Sequence, residues 1–204
     1  MSDTELIALF PLKSVLFPGG RIPLQIFEPR YVDLITRCLR DDTGFGICLL
    51  SEGEEVMRSG QRQRVNRVGT YARIVDWDRL PNGLLGVTVE GQHKFRVRDC
   101  WARDDHLLMA TVQWSADDYL GQPALPLADD HERLVELLKD LMAHPMVESL
   151  QLQTDYTDRR QLAWRLAELL PVPLHNKQKL LELDDTAERL QEIENLLASV
   201  MHFK

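Results

Sequence analysis

The chain has few of the residues that announce chemistry. Its three cysteines, Cys38, Cys48 and Cys100, are odd in number and scattered over 204 residues. That speaks against a disulfide framework and for reduced thiols in a cytoplasmic setting. No Cys-x-x-Cys occurs, and the six histidines (His93, His106, His131, His144, His175, His202) show no His-x-x-x-His or His-Glu-x-x-His spacing. The usual zinc ligand pairs are therefore missing, and no metal is expected. The 11 glycines never form Gly-x-x-x-x-Gly-Lys or Gly-x-Gly-x-x-Gly, so phosphates find no recognisable cradle. No serine sits in a Gly-x-Ser-x-Gly elbow. Nucleophile, base and orienting group are nowhere combined, and neither a catalytic residue nor a cofactor is expected.

Long hydrophobic runs are also lacking; none approaches the roughly 20 residues that cross a bilayer. The start, Met1-Ser2-Asp3-Thr4-Glu5, has neither the basic nor the apolar region of a secretory signal. Positive charge is in deficit, with 24 Lys and Arg against 32 Asp and Glu and a net charge of −8. A general nucleic-acid binder draws its affinity from neutralising phosphates, so that class is disfavoured. A 44% apolar and 27% charged composition is that of an ordinary globular chain.

What is present divides at about residue 120. Residues 1–120 carry 15 basic and 17 acidic side chains, and 13 of the basic ones are arginine. Residues 121–204 carry 9 and 15. The stretch 121–128, with Pro123 and Pro126, reads as a linker, because two prolines discourage a helix and a central strand alike.

The first part reads as short strands. Apolar runs at Glu5–Phe10, Arg21–Ile26 and Phe45–Leu50 are bounded by Gly, Pro or acidic residues. A hairpin is expected around Asn82-Gly83, the strongest short turn signal. Leu84–Glu90 forms its return strand, Gly91-Gln92 is expected to turn, and His93–Trp101 follows with Phe95, Val97 and Trp101 on its buried face. Leu107–Trp114 completes a meander. Between strands, Pro29–Leu39 reads as a helix with Tyr31, Leu34, Ile35 and Cys38 in one stripe. Several short strands around one inserted helix suggest a small barrel, since closure removes exposed edges. The second part reads as helices: Leu134, Leu137, Leu138, Leu141 and Met142 up to Pro145, then Leu162, Leu166, Leu169 and Leu170, then roughly His175–Leu183. A last helix begins at Asp184 or Asp185 and carries Leu190, Ile193, Leu197 and Val200. The fold class is thus α+β, with residues 1–120 forming the β part, 121–128 the linker and 129–204 the helices.

Two stretches offer surfaces. Arg58, Arg62, Arg64, Arg67 and Arg73 lie in a window without acidic residues; it could contact RNA, although such a run is more often a solvated edge. The other is the segment Phe10–Tyr31, where four prolines punctuate apolar pieces too short to stand alone. Pro18-Gly19-Gly20 gives a bare backbone that another chain can approach, and Phe17, in so short a loop, is expected to be exposed. Arg21 and Arg30 would rim it, with Glu28 positioning Arg30 at a helix start.

These motifs resemble a known family. Phe10-Pro-Leu, Phe17-Pro-Gly and Pro23-Leu-x-Ile-Phe-Glu-Pro-Arg-Tyr31 look like the opening signature of the Lon protease N-terminal (substrate-binding) domain family, in its stand-alone bacterial form. Gly44-Phe45-Gly46, Gly69-Thr70 and Val89-Glu90-Gly91-x-x-Lys94-Phe95-Arg96-Val97 continue the resemblance, with Lys94 where the family usually has arginine. So does Leu-Pro-Val-Pro-Leu before a short Lys- and Gln-rich helix. The resemblance implies a PUA-like β-barrel followed by a helical bundle, without the ATPase and Ser-Lys protease modules and with no catalytic residue to carry over. It implies a binding module for unfolded or tagged protein clients, an adaptor or holdase with a protease or chaperone as a further partner, monomeric or a weak homo-oligomer. An RNA-associated PUA-like module is the alternative. The expected working surface is the crevice between barrel and helices, at Phe17, Gly19, Gly20, Arg21, Phe27, Glu28, Arg30 and Tyr31.

Overall fold

Strand β1 (Thr4–Leu12) comes first among the described residues, with its buried residues, Ile7, Leu9, Phe10, Pro11 and Leu12, concentrated toward its end. The computed structural model describes residues 4–56, 63–115, 123–128 and 131–201. After β1 come β2 (Arg21–Ile26), α1 (Pro29–Asp41), β3 (Phe45–Glu52), the two-residue β4 (Arg64–Val65), β5 (Val68–Arg79), β6 (Leu85–Ala102) and β7 (Leu108–Trp114). The helices α2 (Glu132–Met142), α3 (Pro145–Glu148), α4 (Arg159–Leu169), α5 (Leu174–Glu182) and α6 (Thr186–Met201) follow. The molecule is a mixed α/β fold.

The strands form one mainly antiparallel sheet in the order β1-β7-β6-β5-β3-β4, with β2 on β6. One pairing is parallel, Leu9–Leu12 of β1 beside Gly46–Leu49 of β3. Strand β1 therefore has β7 on one side and β3 on the other. Helix α1 is inserted between β2 and β3, and its apolar stripe of Tyr31, Leu34, Ile35 and Cys38 packs with Phe10, Phe45, Val87 and Val89. Pro29 at its first turn supplies a preset φ, and Asp42 ends it in the left-handed region.

Three local expectations are corrected. Asn82-Gly83 is not a two-residue turn. Such a turn would need Pro81 to donate an N–H to the ladder, and proline has none. The loop instead takes three residues: Leu80 N–H donates to the Leu84 carbonyl at 2.9 Å, Gly83 N–H donates to the Leu80 carbonyl at 2.8 Å, and only Gly83 has a positive φ, 81°. Gly91-Gln92 does not turn at all. It lies inside the single long strand β6, where the register on β5 slips between Thr70 and Ala72, a bulge that bends the strand instead of ending it. A second slip, between Val97 and Asp99, changes which side chains face inward, so Phe95 and Val97 are buried while Trp101 is exposed.

Of the stretch 121–128, residues 121 and 122 lie outside the described residues. The remainder is tied to the start of α4. Asp158 caps that helix by accepting from Arg160 N–H at 3.0 Å, and the same oxygen accepts from Leu125 N–H at 3.1 Å. Helix α4 is buried nearly all round, through Leu162, Ala163, Trp164, Leu166 and Ala167, the pattern of a core helix and not of an amphipathic surface one. Asp185 accepts from Ala187 and Glu188 N–H at 2.7 and 3.0 Å and so caps α6, as its position in the sequence suggests. Residues 129 and 130, where the helical part is expected to begin, lie outside the described residues.

One hydrophobic cluster runs through both parts. Val15, Phe17, Leu49 and Val68, from or between the strands, pack with Leu134, Leu138, Trp164, Leu180, Leu190 and Ile193 of the helices. Phe17 is completely buried, its ring centroid 5.8 Å from that of Trp164. The expectation that Phe17 is exposed is therefore wrong, because α4 covers the loop. Phe17→Ala is expected to cost about 3–5 kcal/mol, as for a buried phenylalanine truncated to alanine. The midpoint of urea unfolding measures this, and a cost below about 1 kcal/mol would contradict the packing.

Candidate functional site

The eight residues marked by the sequence fall into separate places. Phe17-Pro18-Gly19-Gly20 is a tight turn in which Gly20 N–H donates to the Phe17 carbonyl at 2.9 Å and Gly19 has a φ of 71°. Proline at the second position and a positive φ at the third define a type II turn. It is clamped from both sides. Gly19 N–H donates to the Gly91 carbonyl at 2.7 Å, and Gly91 N–H donates to the Gly20 carbonyl at 2.9 Å. A Cβ on Gly91 would lie 2.3 Å from the Phe17 carbonyl oxygen, so this close approach requires glycine. From the helices, Arg165 Nη2 donates to the Gly19 carbonyl at 2.7 Å and Nη1 to Glu168 at 2.8 Å, while Glu168 takes the Arg21 N–H. Arg21 itself pairs with Glu90 at 2.8 Å and reaches the Leu150 carbonyl. The expected open crevice is filled here: Gly19, Gly20 and Arg21 form a clasp between sheet and helices, and no bare backbone is offered.

Burial works against the charges of the clasp, and their mutual pairing offsets it only in part. Burial pushes the Glu168 carboxyl up, and Arg165, the Arg21 N–H and Lys177 pull it back only in part. Burial likewise pushes the Lys177 ammonium down, with Glu168 opposing. Lys177 Nζ also donates to the Glu168 carbonyl at 2.6 Å.

A second junction centres on Trp164. The Arg189 guanidinium lies 3.4 Å from the indole centroid and Lys94 Nζ lies 5.9 Å from it. Arg189 Nε donates to the Leu180 carbonyl at 2.9 Å and its Nη2 to that of Leu183, the end of α5 where carbonyls lack helical partners. Lys94, fully buried, donates to Asp184 at 2.8 Å and to the Leu183 carbonyl at 2.7 Å. Asp184 is 61% exposed, so a sunken ammonium reaches a carboxylate near the surface. Burial opposes ionisation of Asp184, but the hydrogen bond from Lys94 and the charges of Lys94, Arg96 and Arg189 hold its carboxyl below the ordinary value. Nothing in the sequence ties position 94 to 184.

The Phe27–Tyr31 corner lies elsewhere. Arg30 is buried, its Nη2 3.1 Å from Glu28 Oε2 and its Nη1 donating to the His106 carbonyl at 2.6 Å. It pins the start of α1 to the β6–β7 connection, so the expected exposed rim at Arg30 is corrected to an internal ion pair. Tyr31 stacks on Phe10 with centroids 4.0 Å apart, and burial pushes its phenol up. Phe27, by contrast, is 52% exposed. It stands at a cavity of about 270 Å³ lined also by Leu12, Pro23, Leu24, Gln25, Glu28, Glu55 and Val56. Of the eight residues, Phe27, Glu28 and Tyr31 thus meet at one depression of apolar and acidic lining. The other lining residues went unmarked in the sequence, although proline inside a strand is itself a sign of a free edge.

Cys38 and Cys48 are buried and Cys100 is exposed; burial raises all three thiols, the opposite of a reactive cysteine. Among the described residues no group of three or more His, Cys, Asp or Glu could hold a metal, and no helix is long and apolar enough to cross a membrane.

The described residues thus form a mixed α/β body with a surface depression, of apolar and acidic lining, beside the exposed Phe27. The chain belongs to the family described as the ATP-dependent protease La (LON) substrate-binding domain, which matches residues 7–199. It is 25% identical over 189 residues to a Lon protease of Amoebophilus asiaticus and 26% identical over 196 residues to Lon protease 2 of Myxococcus xanthus, covering 92% and 95% of this chain. The chain spans only 23% of the length of each of these relatives. In structure it is similar to a Lon N-terminal domain protein from Xanthomonas campestris, with a TM-score of 0.71, 32% identity and 95% and 98% of the two chains covered. The N-terminal domain of a Mycobacterium avium complex Lon protease shares the fold at 16% identity, with a TM-score of 0.59 over 94% and 97% of the two chains.

The Lys94–Asp184 pair predicts a pH dependence. Because the Asp184 carboxyl is lowered on folding, its contribution to stability is present above the ordinary value of 3.8 and is lost as pH falls through the lower folded value. Asp184→Asn is expected to be less stable than the parent at neutral pH, with the difference closing below pH 3.8. Paired urea titrations from neutral to acid measure it, and a difference independent of pH would contradict the assignment.

Proposed function

We propose that this protein is a non-catalytic recognition module that holds unfolded or tagged polypeptide clients, as an adaptor or holdase. It would act in the cytosol, as a monomer or weak homo-oligomer that hands clients to a protease or chaperone. Family membership supports a substrate-recognition role. The observation that carries the site is the exposed Phe27 beside a cavity of apolar and acidic lining: an uncovered aromatic at a concave surface rimmed by charge is a usual anchor for a partner chain. Glu28 and Tyr31 are the site residues that flank it, whereas Phe17, Gly19, Gly20, Arg21 and Arg30 act by holding the scaffold. Residues 1–120 and 129–204, joined through 121–128, would move as one body because they share the Phe17–Trp164 core.

An RNA-associated role finds less support. Arg64 pairs with Glu52 and Arg73 with Asp42, which draws two of the five arginines into local contacts. Arg58 and Arg62 lie outside the described residues.

Phe27→Ala is expected to weaken binding of a chemically unfolded client by about tenfold while moving stability by no more than about 0.5 kcal/mol, since the side chain is half exposed. Client titration and urea unfolding on the same preparation read both; unchanged affinity would remove Phe27 from the site. The purified chain is further expected to hydrolyse neither ATP nor casein, and turnover abolished by a point substitution in this chain would overturn the non-catalytic reading.

A further inference from the structure

Strand β2 has β6 on one side and no strand on the other among the described residues. Three observations fix which of its backbone groups point outward. Pro23, opposite Thr88, has no N–H to give to β6, the mark of a position whose nitrogen faces away from the ladder. The Arg21 N–H faces the Glu168 carboxylate, which lies against Gly20. Just before the strand, Gly91 N–H donates to the Gly20 carbonyl, which puts Gly20, Ile22, Leu24 and Ile26 on the bonded phase. The carbonyls of Pro23 and Gln25 and the N–H of Gln25 are therefore directed away from β6.

The same three-stranded arm has a second edge, and it is closed. Beyond Ala72, β5 no longer pairs with β3. There a bulge interrupts the register between Ile74 and Asp76, and the Asp76 and Asp78 carboxylates accept the N–H groups of Trp77 and Arg79 at 2.9 and 2.7 Å. Bulges and charged side chains are how sheets blunt an edge. Along Ile22–Ile26 there is neither a bulge nor a charge, Pro23 removes a single donor, and the outward groups run beside the cavity at Phe27. The charged residues lining that cavity, among the described residues, are Glu28, which pairs with Arg30, and Glu55, which accepts from the Lys13 N–H; both are acidic.

We propose that the β2 edge at Pro23–Gln25 captures an extended peptide segment of alternating apolar and basic residues as an added strand. The segment's backbone pairs with Gln25 and Pro23, an apolar side chain enters the Phe27 cavity, and basic side chains face Glu28 and Glu55. Main-chain pairing supplies affinity for many sequences, and the cavity and its two carboxylates supply the preference. This rests on the reading of the Phe27 surface as the client face.

The probe is a fluorescein-labelled peptide alternating valine and lysine, titrated against the full chain by anisotropy. Methylating its central backbone nitrogens is expected to weaken binding by about tenfold or more, because strand pairing is lost while the side chains remain. Gln25→Pro, which removes the outward N–H without touching the β6 ladder, is expected to do the same at an unchanged melting midpoint; if that variant melts early, the methylated peptide decides. Replacing lysine by glutamate in the peptide is expected to weaken binding comparably. If the methylated peptide binds as tightly as its parent, strand addition is wrong, and a loss with Phe27→Ala would leave the client surface standing without it. If Phe27→Ala, Gln25→Pro and methylation are all without effect, both readings fall. Binding of oligouridylate in preference to the peptide would likewise overturn the proposal.

Discussion

The indole of Trp164 is the point through which the two halves of this molecule hold one another. Its ring meets Phe17 from the loop before β2, Arg189 from α6 and Lys94 from β6. Cations over an aromatic face gain most when water is excluded, and both Lys94 and Arg189 are fully buried. Such burial is costly unless every charge is answered. The carbonyls closing α5 and the Asp184 carboxylate answer these two. The joint therefore demands that α5 end where it does, that Asp184 follow it, and that β6 present Lys94 inward.

This explains why residues marked by their motifs became scaffold. The Pro-Gly-Gly turn, Gly91 and Arg21 are constrained because a backbone must pass within contact distance of another strand and be met by Arg165 and Glu168 from α4. Glu28 and Arg30 anchor α1 to the connection after β6. The strongest sequence signature thus encodes the assembly of the fold, and the surface it leaves uncovered is reduced to Phe27 and its neighbours.

Local chemistry made much of the fold legible. The stripe of α1, the leucine spacing of α2 and α4 and the Asp185 cap all act over a few residues, and the structure has them where the sequence puts them. What the sequence hid depends on distance. The three-residue turn follows from Pro81 once hydrogen bonds are counted, but the bulges at Gly91 and Val97 arise from partners on other strands. The burial of Phe17 required knowing that α4, nearly 150 residues later, lies over it. The Lys94–Asp184 pair spans 90 residues and leaves no local trace. The candidate site was half visible, since Phe27, Glu28 and Tyr31 sit in a motif whereas Val56 and Glu55 enter from another loop.

The placement of Pro23 bears on how this protein survives its own surface. A sheet edge open to client strands is also open to copies of itself, and unbroken edges of that kind template fibres. Proline in mid-strand deletes one donor from a short row, leaving Gln25 to donate beside the carbonyls. So sparse a row can grip a short guest but gives a second sheet too few bonds to propagate, which separates capture from polymerisation by a single missing hydrogen.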